Sequence, residues 1–129
     1  MKKQIATTNA PAAIGPYSQG VECGNLVFVS GQIPVNPATG EIVKGDIKAQ
    51  TAQVFENIKA VLAQAGCALS DIVKTTVFIT DIADFGAMNE VYATYIKDCV
   101  LPARSAFQVV NLPKGANVEI EVIACKCAQ

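Results

Sequence analysis

The 129-residue sequence contains neither histidine nor tryptophan. Without histidine, the chain cannot build a Ser–His–Asp triad, a histidine general base or a histidine metal ligand. It also lacks the phosphate-binding patterns Gly-x-Gly-x-x-Gly and Gly-x-x-x-x-Gly-Lys-Ser/Thr, and the nucleophile pattern Gly-x-Ser-x-Gly. These absences exclude the most familiar nucleotide-binding and hydrolase sites. Any catalysis must therefore use side chains other than histidine and sites other than these three motifs.

Charge is also scarce. Charged residues make up 16% of the chain and hydrophobic residues 51%, with a net charge of −1 and a pI near 5.3. This composition predicts one folded domain spanning residues 1–129, with no basic surface for nucleic acid. No apolar run is long enough for a signal peptide or a membrane span, so neither is expected. The small polar surface favours a buried interface between copies of the chain.

The five cysteines are an odd number, which predicts reduced thiols and a cytoplasmic protein. On a strand, Cys125 and Cys127 would point to the same face. Two interpretations of this pair are open: a thiol pair, or two small side chains that fill the core.

Hydrophobic periodicity predicts an alternation of strands and helices. The predicted strands lie at 4–8, 17–22, 26–30, 71–80, 101–110 and 117–124. One helix is predicted from Asp46 to about residue 65, and a second from Asp81 or Asp84 to about residue 99. The order favours an α+β fold in which two helices cover one face of a sheet. A second copy of the chain is expected to cover the other face.

Arg104 is the only charged residue between positions 98 and 114. Strand alternation places it on the same face as Ala106, among small residues. A guanidinium in such a place suits a planar carboxylate, because its N–H groups can donate two parallel hydrogen bonds. The carboxylate belongs either to the protein, as Glu119 or Glu121, or to a ligand, and the residues alone leave both alternatives open.

A simple hairpin between the last two strands would put Glu119 on the order of 16 Å from Arg104. The two residues could then cooperate only if these strands are not neighbours, or if they meet across a subunit interface. Together with Tyr17, Ser30 and Asn89, they could bind a small carboxylate and position a water. The set contains no strong nucleophile, so it suits a substrate that is already reactive, such as an imine.

Many segments of the chain match one family pattern. They lie at 10–17, 30–37, 39–41, 56–60, 71–78, 89–92, 102–105, 111–114 and 118–121. The most specific is Pro-Ala-Arg-Ser at 102–105 followed by Val-Glu-Ile at 118–120. On these segments the chain closely resembles the reactive intermediate deaminase family (RidA/YjgF). The resemblance implies a chorismate-mutase-like fold, a homotrimer with sites between subunits, and a last strand that lies between earlier strands.

The resemblance also implies an activity. Members hydrolyse reactive 2-imino acids or enamines, such as 2-iminobutanoate and 2-iminopropanoate, to 2-oxo acids and ammonia, which protects the cell, and they need no cofactor or metal. Carried over to this chain, Arg104 would hold the substrate carboxylate and Glu119 would orient or activate the attacking water. The residues implied to line the pocket are Tyr17, Ser30, Gly31, Asn89 and Ala106.

The chain departs from the family pattern at three places, and at one of them residues 107–111 read Phe-Gln-Val-Val-Asn instead of the more usual Val-Glu-Val-Ala-Arg. Close members have cysteine where this chain has Ala106, although it is mainly the backbone of that residue that meets the ligand. The connection between residues 95 and 101 is also shorter, and this is expected to reshape the mouth of the pocket and with it the range of substrates. Two alternatives to catalysis stay open: a regulatory trimer that binds small carboxylates, and a chaperone or translation-inhibitor role. The presence of both Arg104 and Glu119 favours catalysis, since binding a carboxylate needs no glutamate.

Overall fold

The computed structural model describes residues 1–126. The strands are β1 (Lys2–Ile5), β2 (Gly20–Cys23), β3 (Leu26–Gln32), β4 (Val35–Asn36), β5 (Glu41–Ile42), β6 (Ile72–Ile79), β7 (Ala103–Gln108) and β8 (Val118–Cys125). The helices are α1 (Ile47–Gln64) and α2 (Phe85–Tyr95), with single 3-10 turns at Leu69–Asp71, Ile82–Asp84 and Pro113–Gly115. The predicted α+β fold with two helices is therefore confirmed. Cys127 lies outside the described residues, so the two interpretations of Cys125 and Cys127 stay open.

Six strands form the main sheet, in the order β1-β2-β3-β8-β6-β7. The last strand lies between β3 and β6 and is antiparallel to both, whereas β7 is an edge strand parallel to β6. No hairpin joins β7 to β8, so the arrangement that separated Arg104 from Glu119 along neighbouring strands does not occur. The two short strands β4 and β5 pair with each other beside the main sheet.

Helix α1 begins where the sequence predicts. The Asp46 side chain accepts a hydrogen bond from the Ala49 N–H at 3.0 Å, which satisfies one of the unpaired donors at the helix N-terminus. Its apolar stripe is fully buried against the sheet, with Val54, Phe55 and Ile58 at 0% exposure. Burial on this scale contributes about 1.5–3 kcal/mol for each large side chain, so α1 is stabilised mainly by packing.

Several predicted boundaries differ from the structure, although the second helix does begin directly after Asp84, one of the two predicted positions. The first strand lies at Lys2–Ile5 rather than at residues 4–8. The second helix ends at Tyr95, not near residue 99, because Ile96 is already extended and Asp98 takes a left-handed conformation with φ 58°. Asp81 caps the short 3-10 turn before α2 through the Ala83 N–H, whereas Asp84 makes no capping hydrogen bond.

The two faces of the main sheet differ. Every second residue of β8, beginning at Val118, is buried beneath the helices. The opposite face, called here the open face, carries exposed aromatic side chains: Phe28 is 40% exposed and Phe107 52% exposed. Phe107 also stacks on Phe78 with ring centroids 6.3 Å apart. Neither helix of the described chain is long and apolar enough to cross a membrane.

Candidate active site

Arg104 lies on the edge strand β7, and its side chain turns to the helix side of the sheet. One of its Nη1 hydrogens is donated to Asn89 Oδ1 at 2.6 Å. The guanidinium carbon lies 4.8 Å from the centroid of the Tyr92 ring and 5.3 Å from that of Phe85. All three partners come from α2 and none is charged, so the positive charge is oriented without being neutralised.

Within residues 1–126 of one chain, the structure therefore excludes an ion pair between Arg104 and an acidic side chain of the protein. The ion pairs among residues 1–126 are Lys48–Glu90 and Lys126–Glu22, and neither involves Arg104. Neither Glu119 nor Glu121 is its partner, and the carboxylate that this guanidinium suits is not supplied by the described part of the chain.

Glu119 lies on the open face, opposite Phe78 in the register of β8 and β6. Its carboxylate packs directly against the backbone of Gly31, where a Cβ atom would overlap Oε2 and lie 2.9 Å from Cδ. Glycine at this position is thus what lets the carboxylate lie against β3. Burial raises the pKa of Glu119 above its usual 4.5, and the nearby Glu121 carboxylate raises this pKa further.

Tyr17 and Gly31 line one cavity of about 530 Å3. Its other walls are mostly apolar, and they come from the loop at 11–17, from β3, from the β4–β5 turn and from Pro113 and Lys114. Ser30 precedes Gly31 but lines a different cavity, on the open face, and its hydroxyl donates to the Ser18 carbonyl at 2.6 Å. Gly31 contacts Glu119, Tyr17 lines the same cavity as Gly31, and Ser30 precedes Gly31 in the chain. These four residues are called here the glutamate cluster.

The second group, called here the arginine cluster, consists of Arg104, Asn89 and Ala106. Ala106 shares the helix side with Arg104 and packs partly buried against the core. Arg104 is level with Val122 in the sheet register, three residues from Glu119 and two strands away. Strand spacings then separate the two Cα atoms by roughly 14 Å, and the side chains leave opposite faces. One chain therefore does not bring the two clusters together.

Helical periodicity alone places Phe85 and Tyr92 in the apolar stripe of the second helix, which favours a core position for both rings and indicates no functional part. The structure places both rings against the Arg104 guanidinium. A signal for this was present, because positions 85, 89 and 92 share one helix face at i, i+4 and i+7. Among residues 1–126, no group of three or more Cys, Asp or Glu side chains is placed to hold a metal ion.

The fold and these side chains define an α+β protein that presents an unneutralised guanidinium on one sheet face and a half-buried carboxylate on the other. The chain belongs to the RidA/YjgF (Rid) family: residues 7–126 match the family model described as endoribonuclease L-PSP.

The similarity to known proteins extends over nearly the whole chain. It is 57% identical to a RutC family protein of Pyrococcus horikoshii, over 98% of this chain and 99% of that protein. It is 52% identical, over 98% of this chain and 99% of the relative, to the 2-iminobutanoate/2-iminopropanoate deaminase of Escherichia coli K12. A crystal structure of a Rid family protein of unknown function from Yersinia pestis superposes with a TM-score of 0.95 at 54% identity, covering 97% of this chain and 99% of that one.

Proposed function

We propose that this protein is a cytoplasmic imine deaminase that hydrolyses small 2-imino acids, such as 2-iminobutanoate and 2-iminopropanoate, to 2-oxo acids and ammonia. The observation that carries the proposal is the state of Arg104, which neutral groups orient and no carboxylate of the described chain neutralises. Its remaining N–H donors suit the carboxylate that every 2-imino acid carries. The name of the 52% identical Escherichia coli relative supports this substrate class.

Glu119 is the proposed general base. Its raised pKa makes it a better proton acceptor than an ordinary carboxylate, and its position against Gly31 fixes where a bound water would lie. As the water oxygen bonds to C2 of the protonated imine, Glu119 accepts a water proton. Glu119 passes this proton to the nitrogen and then accepts the remaining hydroxyl proton, so that the C–N bond breaks and ammonia leaves as the C2 carbonyl forms; the leaving ammonia or solvent takes the last proton from Glu119. A protonated imine is already electrophilic, so orientation supplies most of the acceleration.

The two clusters are proposed to meet between subunits of a homotrimer. Each chain would supply the glutamate cluster to one site and the arginine cluster to the next, because the two leave opposite faces of its sheet. In this arrangement Asn89 and Ala106 accompany Arg104, while Tyr17, Ser30 and Gly31 surround Glu119. The exposed Phe28 and Phe107 on the open face support burial of that face by a second copy.

The activity is tested by competition. A threonine dehydratase generates 2-iminobutanoate in the presence of semicarbazide, and the rate of semicarbazone formation is measured with and without this protein. We expect the protein to lower that rate, and Arg104→Ala to abolish the effect. An unchanged rate with the wild-type protein would refute the enzyme and leave a carboxylate-binding protein as the alternative.

The shared site is tested by mixing two inactive variants. Arg104→Ala and Glu119→Gln chains, unfolded and refolded together in equal amounts, would form mixed trimers in which some interfaces carry both native residues. Random assembly of a cyclic trimer restores about a quarter of the sites. Separately refolded variants, mixed without subunit exchange, are the control. No recovery in the co-refolded sample would refute the site between subunits.

A further inference from the structure

The side chain of Arg104 is exposed and long, yet the structure holds its guanidinium at a defined place. A flexible arginine that binds a carboxylate loses rotamer freedom on binding, and this loss weakens the complex. Contacts that fix the side chain beforehand remove part of that loss. The contacts here are the hydrogen bond to Asn89 and the faces of the Phe85 and Tyr92 rings.

Of the two rings, Tyr92 is the better fixed. It is 9% exposed, and its hydroxyl shares a hydrogen bond of 2.9 Å with the Thr75 hydroxyl, which is completely buried. Its ring packs edge to face on the core residue Phe55, with centroids 5.4 Å apart and an interplanar angle of 82°. The ring therefore contacts both β6 and α1, and it cannot swing away from this place without breaking a buried hydrogen bond.

From this geometry we infer that Tyr92 is a positioning residue for the substrate carboxylate, acting through Arg104. The negative face of its ring attracts the guanidinium without accepting any of its N–H groups. Asn89 takes one of the five N–H donors, so the others stay available to a ligand. An acidic residue in the same place would hold the arginine more strongly, but it would occupy those donors and neutralise the charge. The inference rests on the proposed role of Arg104 as the carboxylate anchor.

The chain offers a matched control one helical turn away. Tyr95 also packs on Phe55, in a stacked arrangement with ring centroids 5.0 Å apart, but its hydroxyl donates to Glu56 and its ring is not among those against Arg104. Removing either tyrosine ring therefore costs packing on Phe55, whereas only Tyr92 contacts the guanidinium. A generic packing defect would affect both variants alike.

The experiment measures binding of 2-oxobutanoate, a stable product-class probe, to the assembled full-length protein by calorimetry, together with KM and kcat for 2-iminobutanoate. Tyr92→Leu is expected to weaken binding ~10-fold, within the roughly 2- to 30-fold range of cation–π contacts, and to raise KM with kcat nearly unchanged. Tyr95→Leu is expected to leave both values unchanged. Unaltered binding in Tyr92→Leu, or equal weakening in Tyr95→Leu, would overturn the inference.

A second comparison does not depend on Tyr92→Leu folding. Phenylalanine and pentafluorophenylalanine at position 92 have nearly the same size, but fluorination removes the negative ring face. Both are combined with Thr75→Val, so that no buried hydroxyl is left without a partner. We expect the phenylalanine protein to bind 2-oxobutanoate nearly as the wild type does, and the fluorinated protein to bind it several-fold more weakly. Equal affinities would refute the electrostatic basis of the positioning.

Binding measurements on Arg104→Ala and Tyr92→Leu together separate the positioning role of Tyr92 from the anchoring role of Arg104. If Arg104→Ala binds 2-oxobutanoate as well as the wild type does, Arg104 is not the anchor, and the role assigned to Tyr92 in substrate binding falls with it. If Arg104→Ala loses binding while Tyr92→Leu keeps it, only the positioning role is refuted. The Arg104 Nε–H resonance gives a readout without ligand, because loss of the Tyr92 ring removes its ring-current shift.

Discussion

A single methyl group at position 31 should separate catalysis from binding in this protein. The backbone φ of Gly31 is not in the left-handed region, so alanine fits the chain conformation. The added Cβ would overlap Glu119 Oε2 and would lie 2.9 Å from Cδ and 3.1 Å from Cγ. Ordinary contact begins at 3.4 Å, so Cδ must withdraw by at least 0.5 Å (3.4 minus 2.9) and Oε2 must move farther. The carboxylate therefore leaves the place where it would hold the water.

The consequence can be estimated. Misplacing a reacting group by about 1 Å costs on the order of 100-fold in rate, so we expect Gly31→Ala to lower kcat by roughly 10- to 100-fold. This loss equals about 1.4–2.7 kcal/mol of activation free energy. In the proposed shared site the ligand carboxylate is held by Arg104 of the next subunit, and the added Cβ displaces Glu119 and not this anchor, so affinity for 2-oxobutanoate should change by less than about 3-fold. The free energy of unfolding should fall by no more than about 1 kcal/mol, since a half-buried side chain can rotate outward.

The assay is the semicarbazide competition, combined with calorimetry of 2-oxobutanoate and thermal unfolding. Gly86→Ala is the matched control, because it adds the same methyl group on α2 where nothing lies within 4 Å. That variant should keep its kcat and gain about 0.5–1 kcal/mol of stability. A wild-type kcat in Gly31→Ala would show that the position of Glu119 against β3 is not the one used in the reaction.

Three further outcomes are expected. Glu121→Gln removes the smaller, electrostatic contribution to the raised pKa of Glu119 but leaves the larger contribution of burial. The acid limb of the kcat–pH profile should therefore move to lower pH without reaching the pH expected for a free carboxyl. A limb that does not move would show that another group titrates. Asn89→Ala should weaken 2-oxobutanoate binding ~10-fold, and Asn89→Asp more strongly because its carboxylate competes for Arg104; tighter binding by Asn89→Asp in calorimetry would contradict this. If the ligand uses only the backbone N–H of residue 106, Ala106→Cys should keep the affinity for 2-oxobutanoate within about 2-fold of the wild-type value. Ala106→Pro, which lacks this N–H, should weaken binding while the thermal midpoint stays close to that of the wild type. Weaker binding by the cysteine variant than by the proline variant would refute this.

The elements that the sequence predicts well are those in which local and tertiary preferences agree. Helix α1 has a capping aspartate, an uninterrupted apolar stripe and Gly66 beyond its last residue, and both ends were predicted within one or two residues. The second helix was predicted about one turn too long. Its apolar residues continue to Ile96, but nothing in the composition showed that this residue is extended and that Asp98 turns the chain into its left-handed conformation.

The separation of the two clusters was not predictable from periodicity. Alternation correctly places Arg104 and Ala106 on one face of their strand, and the same rule applied to the last strand places Val118 and Ile120 together on its buried face. It could not relate the two strands, because the face that each strand presents depends on the order β8-β6-β7 and on a register set by residues far apart in sequence. Which strands lie next to each other is a property of the topology and not of the local sequence pattern.

Topology also explains why alanine at position 106 is compatible with the proposed site. Strand β7 has a neighbour on one side only, and the N–H of Val109 donates to the Ile79 carbonyl across that side. Backbone groups alternate along a strand, so the N–H groups of residues an odd number of positions away, including that of Ala106, point outward at the sheet edge. This donor lies two residues from Arg104, on the side where another molecule can approach. A carboxylate held by the guanidinium can therefore also accept a backbone hydrogen bond, and the thiol of the usual cysteine is not required for that contact. The small side chain meanwhile packs against the core.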